Sequence, residues 1–421
     1  MTDAPATTRT GPDRPYGGRV LRVLAAVALV ASAVVAGALL PDDRVHAPAP
    51  PLFAHWLPHV GIGTPLAVLV AVAVVVWGPN LAGRLEWRAA LGVGYATALA
   101  WTFSLALVDG WDRGFTGRLT TEHEYLHEVP GVTDVPAMLR EFTTRILDYQ
   151  PDSWATHVSA HPPGAFLVFI GLDRVGLAGG AWASAFVVLV GALTAVAVPV
   201  TVRAVVSEEH ARAVLPFVAL FPGAVWIGAS ADGLFAGVTA CGIALLATRR
   251  ALAGGVVLGF GVFLSYGLVL IGVLALVVLW RDWRRIGMAV LGASAVVAGF
   301  AALGFWWLDG YHLVVERYYQ GIATPRAYGY WVWANLAAAV FACGFAPFAA
   351  RWRGSAVTLA AAAAVAILAA DLSGLSKAEV ERIWLPFTVW LVVLVPDRRR
   401  TWLAAQAVTA LAVNHLLLTN W

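Results

Sequence analysis

Charge is scarce in this chain of 421 residues: only 13% are Asp, Glu, Lys or Arg, about half the share of a soluble domain. That shortage excludes an ordinary water-facing globule. Lysine is almost missing, since Lys377 stands alone among 28 basic residues. Cysteine is limited to Cys241 and Cys343, both inside apolar runs and at no metal-ligand spacing, so neither a disulfide nor a zinc site is expected. A surplus of one sign is missing too, because 28 basic residues face 25 acidic ones and leave a net charge of +3. Nothing in that balance points to a nucleic-acid partner. What is abundant is apolar sequence, at 60% of residues and a mean hydropathy of +0.75. A bilayer crossing needs about 20 mostly uncharged residues, so the expected class is an all-α polytopic membrane protein.

Residues 1–18 are polar and proline-bearing and predict a disordered tail, leaving 19–421 as a single transmembrane domain. Val20–Leu40 is a full-length apolar run, too long for a signal peptide's core. Further runs cover Thr64–Ala82, Ala89–Val108, Ala181–Val202, Ala213–Ala229, Leu234–Thr248, Ala251–Trp280, Ile286–Trp306, Val332–Ala350, Ser355–Ala370, Ile383–Pro396 and Thr401–Leu418. Ala251–Trp280 is too long for one crossing and carries arginine at both ends, which predicts a hairpin turning near Ser265–Gly267. The total is thirteen spans. Pro162–Leu172 is a further apolar stretch; treated as a short interfacial helix rather than a crossing, it puts every downstream arginine-rich loop on one side. That choice places the N-terminus in the cytoplasm and the C-terminus outside the plasma membrane. It assigns 18 basic and seven acidic residues to the inner face, for +11 inside and −8 outside. Three outer segments, 109–179, 308–331 and 371–382, are long or polar enough to hold a site.

Several constellations in those segments can carry chemistry. Asp109 ends an apolar helix and is followed by Gly110, Trp111 and Asp112, where a membrane-boundary carboxylate can act as base or hold a metal. Thr121–Glu128 packs Glu122, His123, Glu124, His127 and Glu128 together, at no recognised zinc spacing. Val135–Tyr149 has helical amphipathic spacing and predicts a helix lying along the bilayer surface. His157 and His161 lead into Pro162-Pro163-Gly164, a helix start whose positive dipole end favours an anion. Asp371–Arg382 brings Lys377, Glu379, Glu381 and Arg382 to the mouth of a span, where four charges must pair or bind something. Arg317 and Arg326 sit among tyrosines and tryptophans, a mixture suited to phosphate and sugar as well as to an interfacial belt.

An Asp at the outer end of an early span, a long first outer loop with an amphipathic helix, and His161-Pro162-Pro163 opening a half-membrane helix together resemble the GT-C superfamily. These integral-membrane glycosyltransferases use polyprenyl-phosphate sugar donors, and include protein O-mannosyltransferases and lipid A aminoarabinose transferases. Ser230-Ala231-Asp232-Gly233 matches a second Asp found after a later in-to-out span of that family. The resemblance implies Asp109 as base or metal-proximal residue, with Mg or Mn as a possible divalent cofactor, and Asp232 as its helper. It implies Arg382 and Lys377, with Glu381 beside them, as the donor-phosphate site; Asp112, Glu122, His157, His161, Arg317 and Arg326 complete the candidate binding set. The implied partners are a polyprenyl-phosphate sugar and an envelope lipid, glycan or protein acceptor. Two alternatives stand beside it: a transporter or lipid flippase, which calls for charge near the bilayer midplane, and an oligosaccharide polymerase or ligase using the same lipid class without needing Asp109.

Overall fold

The computed structural model describes residues 16–321 and 323–419, so residues 1–15 of the expected tail lie outside the described residues. The chain is an all-α membrane protein. Among the described residues six helices are long and apolar enough to cross a bilayer: Gly17–Leu39, Thr64–Arg84, Trp87–Asp109, Gly180–Val205, Trp283–Ala302 and Ser355–Leu372. Large aliphatic side chains such as Leu21, Leu69 and Val290 are more than half exposed on their outer faces, as a lipid-facing surface requires. Of three shorter apolar helices, Ala231–Ala247 is buried almost throughout, while Ala251–Leu264 and Tyr266–Val278 expose Leu252, Val256, Val269 and Leu276. The break between the last two falls at Ser265, whose backbone is extended, where the long run was expected to turn.

Polar contacts sort the helix ends into two groups. At one end Arg19 and Arg351 both reach Asp397, at 2.6 and 3.1 Å. Arg22 donates to the carbonyls of Phe348 and Ala350, and Arg212 donates to those of Ala82 and Leu85. Arginines from three separated stretches, at 19–22, 212 and 351, thus share this end, for His210 beside Arg212 lies 2.8 Å from the Val393 carbonyl, close in sequence to Asp397. The Arg212 contact puts the turn at 206–207 beside the turn at 85–86. That parity requires the Pro163–Arg174 helix not to cross, and its own contacts agree: His161, just before its start, meets Tyr125, while Arg174 at its end donates to the carbonyls of Val132 and Thr133. Both ends lie against the first long loop.

At the opposite end β1 (Ala54–Trp56) pairs antiparallel with β2 (Leu417–Thr419), a small sheet that an all-α expectation did not contain. Leu57 and His59 extend the pairing by donating to the carbonyls of Leu416 and His415. Gly61 allows this strand to lie against the end of Trp87–Ala106, since a Cβ there would sit 2.0 Å from the Val108 carbonyl oxygen.

Several expected elements differ, among them Ala213–Ala229, which is divided between the helices Glu208–Ala219 and Ala224–Ile227. The interfacial helix over Val135–Tyr149 is shorter: Val135–Glu141, capped by Asp134 accepting from the Ala137 amide, then a tight turn over Phe142–Arg145. Ile383–Pro396 is not one helix but the fragments Val380–Ile383, Leu385–Thr388 and Leu391–Val393. Its residues are almost all buried within the protein, and irregular backbone at membrane depth is tolerated where neighbouring helices, not lipid, surround it.

The tightest helix pair is Ala251–Leu264 against Trp283–Ala302. Gly255 and Gly259, four apart, form a small-xxx-small face. A Cβ on Gly255 would lie 2.0 Å from the Ala289 carbonyl oxygen, and one on Gly259 would lie 2.7 Å from the Ala293 Cα. We expect Gly255→Leu to force these backbones apart and destabilise the protein by about 3 kcal/mol or more. Gly287→Ala, on the same helix pair but facing open space, is expected to be neutral or to stabilise by up to about 1 kcal/mol. Thermal unfolding of the two variants in detergent checks the contrast; equal midpoints would mean that the close approach does not matter.

Candidate functional site

The site is assembled from four distant stretches. Ala231–Ala247 begins after an extended Ser230, so Asp232 falls in its first turn, where the helix dipole favours a carboxylate. The segment 371–382 reaches it through an unusual backbone: Ala378 and Glu379 both adopt left-handed conformations, at φ 69° and 65°, each costing of order 1 kcal/mol for a residue with a Cβ. Asn335 braces this turn, accepting from the Ala378 amide at 3.2 Å and donating to Asp371 Oδ1 at 2.9 Å and the Ser376 carbonyl at 2.6 Å. Tyr318 accepts from the Lys377 amide at 2.8 Å. The turn aims Arg382 into the protein.

Arg382 is the hub. Its Nη1 donates to Asp232 Oδ2 at 2.8 Å, while Nη2 lies 3.4 Å from His157 Nε2 and 3.4 Å from Glu379 Oε2. Glu379 also accepts from Arg326 at 3.3 Å. Arg326 in turn donates to the Lys377 carbonyl at 2.7 Å, and Lys377 Nζ donates to the carbonyls of Ala323 and Arg326. From the first loop, Glu124 Oε1 lies 2.9 Å from His157 Nδ1. Glu124, His157, Asp232, Arg326, Lys377, Glu381 and Arg382 are all under 9% exposed, and buried charges persist only when paired and hydrogen-bonded.

The protonation pattern follows from the partners. A guanidinium can only donate, so His157 Nε2 offers its lone pair and the ring proton sits on Nδ1 facing Glu124. His161 Nδ1 lies 2.8 Å from the His157 carbonyl and 2.7 Å from the Tyr125 hydroxyl. A carbonyl only accepts, so Nδ1 carries the proton and Nε2 is left with an open lone pair. Burial depresses the His161 pKa to about 4, which keeps this half-buried ring neutral at neutral pH. Burial also opposes the charge on Arg382, but Asp232, Glu379 and Glu124 hold it protonated. Burial works to raise the Glu124 carboxyl, and His157, Arg382 and His161 more than reverse it, holding it below the usual range. At Glu381 burial prevails: helped by the neighbouring Glu379 charge, it outweighs Arg382 and the backbone hydrogen bonds and pushes the carboxyl up to about 7, and its Oε2 has no hydrogen-bond partner among the described residues.

The other expected site residues lie apart from this hub. Asp109 is clamped by Arg113, by Arg118 at 3.2 Å and by His59 Nε2 at 3.2 Å. The Arg113 and Arg118 guanidiniums thus stand along the carboxylate edge that a divalent metal would need, so Asp109 does not fit as a metal ligand; among the described residues no group of three His, Cys, Asp or Glu side chains is placed to hold an ion. Asp112 is exposed, and Glu122 is exposed with His123 at 3.8 Å. Arg317 pairs with Asp148 at 2.8 Å and lies 3.5 Å from the Trp154 carbonyl. The structure brings together Asp232, His157, His161, Arg326, Lys377 and Arg382. Glu381 is buried in the same short helix as Arg382. Glu124 and Glu379 join the hub, although the sequence named them only within their charged clusters and put neither in the candidate set. No family model, curated protein or solved structure matches the chain.

Proposed function

We propose that the chain is a glycosyltransferase of thirteen crossings, with a cytoplasmic N-terminus, that moves a sugar from a polyprenyl-phosphate donor to an envelope acceptor on the outer face. One observation carries this reading. The segments with GT-C resemblance around Asp232 and His157–His161, and the donor-phosphate candidate Arg382, lie 150 and 225 residues apart, yet converge on one guanidinium. The acceptor oxygen forms the new bond to the anomeric carbon while the bond to the lipid phosphate breaks, and the phosphate leaves with the electron pair. Arg382, Lys377 and Arg326 stabilise that developing charge, and Asp232 and Glu124 favour the oxocarbenium-like transition state. The acceptor proton passes to Asp109, the base implied by the resemblance, which stands outside the hub but lines one small cavity together with Gly228, four residues before Asp232. The transporter reading gains no support, because these ionisable groups crowd at one end of the bundle. The polymerase or ligase reading is favoured by the clamp on Asp109, which ties up a carboxylate that such an enzyme does not need.

The test is transfer by the purified protein from radiolabelled polyprenyl-phosphate sugars to envelope lipids. We expect Asp109→Asn to lower transfer by about 10²–10⁴-fold. Equal transfer by the variant sinks the base assignment and, with an oligosaccharide donor, supports the polymerase or ligase. No transfer from any donor overturns the enzyme reading altogether.

A further inference from the structure

A second feature lies at the arginine end, away from the hub. A cleft of about 130 Å³ opens between the second half of Thr64–Arg84, the first half of Trp87–Ala106 and the end of Glu208–Ala219. Val74, Trp77, Leu81, Val93 and Leu215 line it, with Thr97 the one hydroxyl-bearing residue among its lining. It faces outward from helices long enough to span the bilayer, for Trp77, Leu81 and Val93 are each about half exposed. An α-helix with its side chains is about 10 Å across and does not fit such a cleft; a single hydrocarbon chain does.

The charges at its rim are not equivalent. Arg212 is consumed by the carbonyls of Ala82 and Leu85 and by Glu208, and Arg203 is paired with Glu208 at 2.7 Å. The Glu86 carboxylate is occupied as an N-cap, accepting from the amides of Arg88 and Ala89. Arg84 and Arg88, on the last and first turns of the two helices that wall the cleft, are exposed and make no side-chain ion pair or hydrogen bond among the described residues. An apolar slot whose closing turn, at the lining residue Leu85, is flanked in sequence by two exposed guanidiniums is complementary to an amphiphile with an anionic head.

We propose that this cleft binds one acyl chain of an anionic phospholipid whose phosphate is received by Arg84 and Arg88. The site is independent of the transferase reading, since none of its residues belongs to the hub. Its test is native mass spectrometry of the full-length protein in detergent, offered phosphatidylglycerol or phosphatidylcholine. One phosphatidylglycerol per chain is expected to be retained, with about tenfold preference over phosphatidylcholine, given two arginines near the membrane surface. Ala73→Phe, which puts a ring into the cleft, is expected to lose both lipids. Arg84→Ser/Arg88→Ser is expected to bring the preference close to one while phosphatidylcholine retention is unchanged. Retention by Ala73→Phe, an unchanged preference in the double arginine variant, or no lipid retained by the wild type overturns the proposal. Should Ala73→Phe fail to fold, the double arginine variant, altered only at exposed positions, decides alone.

Discussion

Arg382→Met is expected to destabilise the folded protein by about 3–5 kcal/mol, the cost of removing one partner from a buried ion network. The methionine fills most of the volume, so the loss is electrostatic. Asp232, 3% exposed, loses its 2.8 Å partner, and Glu379 keeps only Arg326. The Nε2 lone pair of His157 loses the donor facing it. Arg382→Lys is expected to recover only part of the loss, because an ammonium cannot span Asp232, His157 and Glu379 at once as the planar fork does. Pairing Arg382→Met with Asp232→Asn removes the most exposed consequence of the first change, so the double variant should be less destabilised than the sum of the two singles. Thermal unfolding in detergent compares the wild type with the four variants. Strict additivity would show that the Asp232 contact contributes nothing to the fold.

The same hub shows which parts of the molecule were legible in the sequence. Apolar run length predicted the long helices, because a lipid-facing helix must be apolar over its whole length. Arginine placement predicted that Pro163–Arg174 stays on one side, and the contacts of Arg212 and Arg174 agree. Glu124 was hidden because three carboxylates fall within seven positions, and only tertiary folding turns Glu124 inward while Glu122 stays in water. Glu379 was hidden for a different reason: its place between Arg326 and Arg382 depends on two consecutive left-handed residues, which nothing in Ser376-Lys377-Ala378-Glu379 announces without a glycine. The fragmentation of Ile383–Pro396 was equally invisible, since a run buried by protein and a run facing lipid have the same composition. Gly255 and Gly259 did carry a readable signal, a four-residue spacing of small side chains, but run length alone does not use it.

The pH dependence of stability is the second large effect, and it arises from two groups of opposite sign near the hub. Glu381 titrates at about 7 in the fold against about 4.3 when unfolded. The folded state therefore holds its proton more tightly. This contribution is fully present below the unfolded pKa and is lost as pH rises through 7, amounting to about 4 kcal/mol by linkage. His161 behaves in the reverse sense. Its folded pKa of about 4 lies below its unfolded value near 6.5, so the stability it contributes is present above that value and is lost as pH falls toward 4. Between about pH 4.5 and 6.5 the two slopes oppose each other, and the wild type is expected to be nearly flat there. Glu381→Gln keeps the neutral shape and removes one slope, so the variant should gain stability with rising pH and exceed the wild type at pH 8. His161→Phe should show the reverse, losing stability across the same window as Glu381 ionises without an opposing term. Glu124, held below the ordinary carboxylate range, titrates under this window and leaves it undisturbed. Thermal midpoints of the three proteins from pH 4 to 8 decide the matter: parallel profiles would mean that neither group is titrating in the fold as its burial requires.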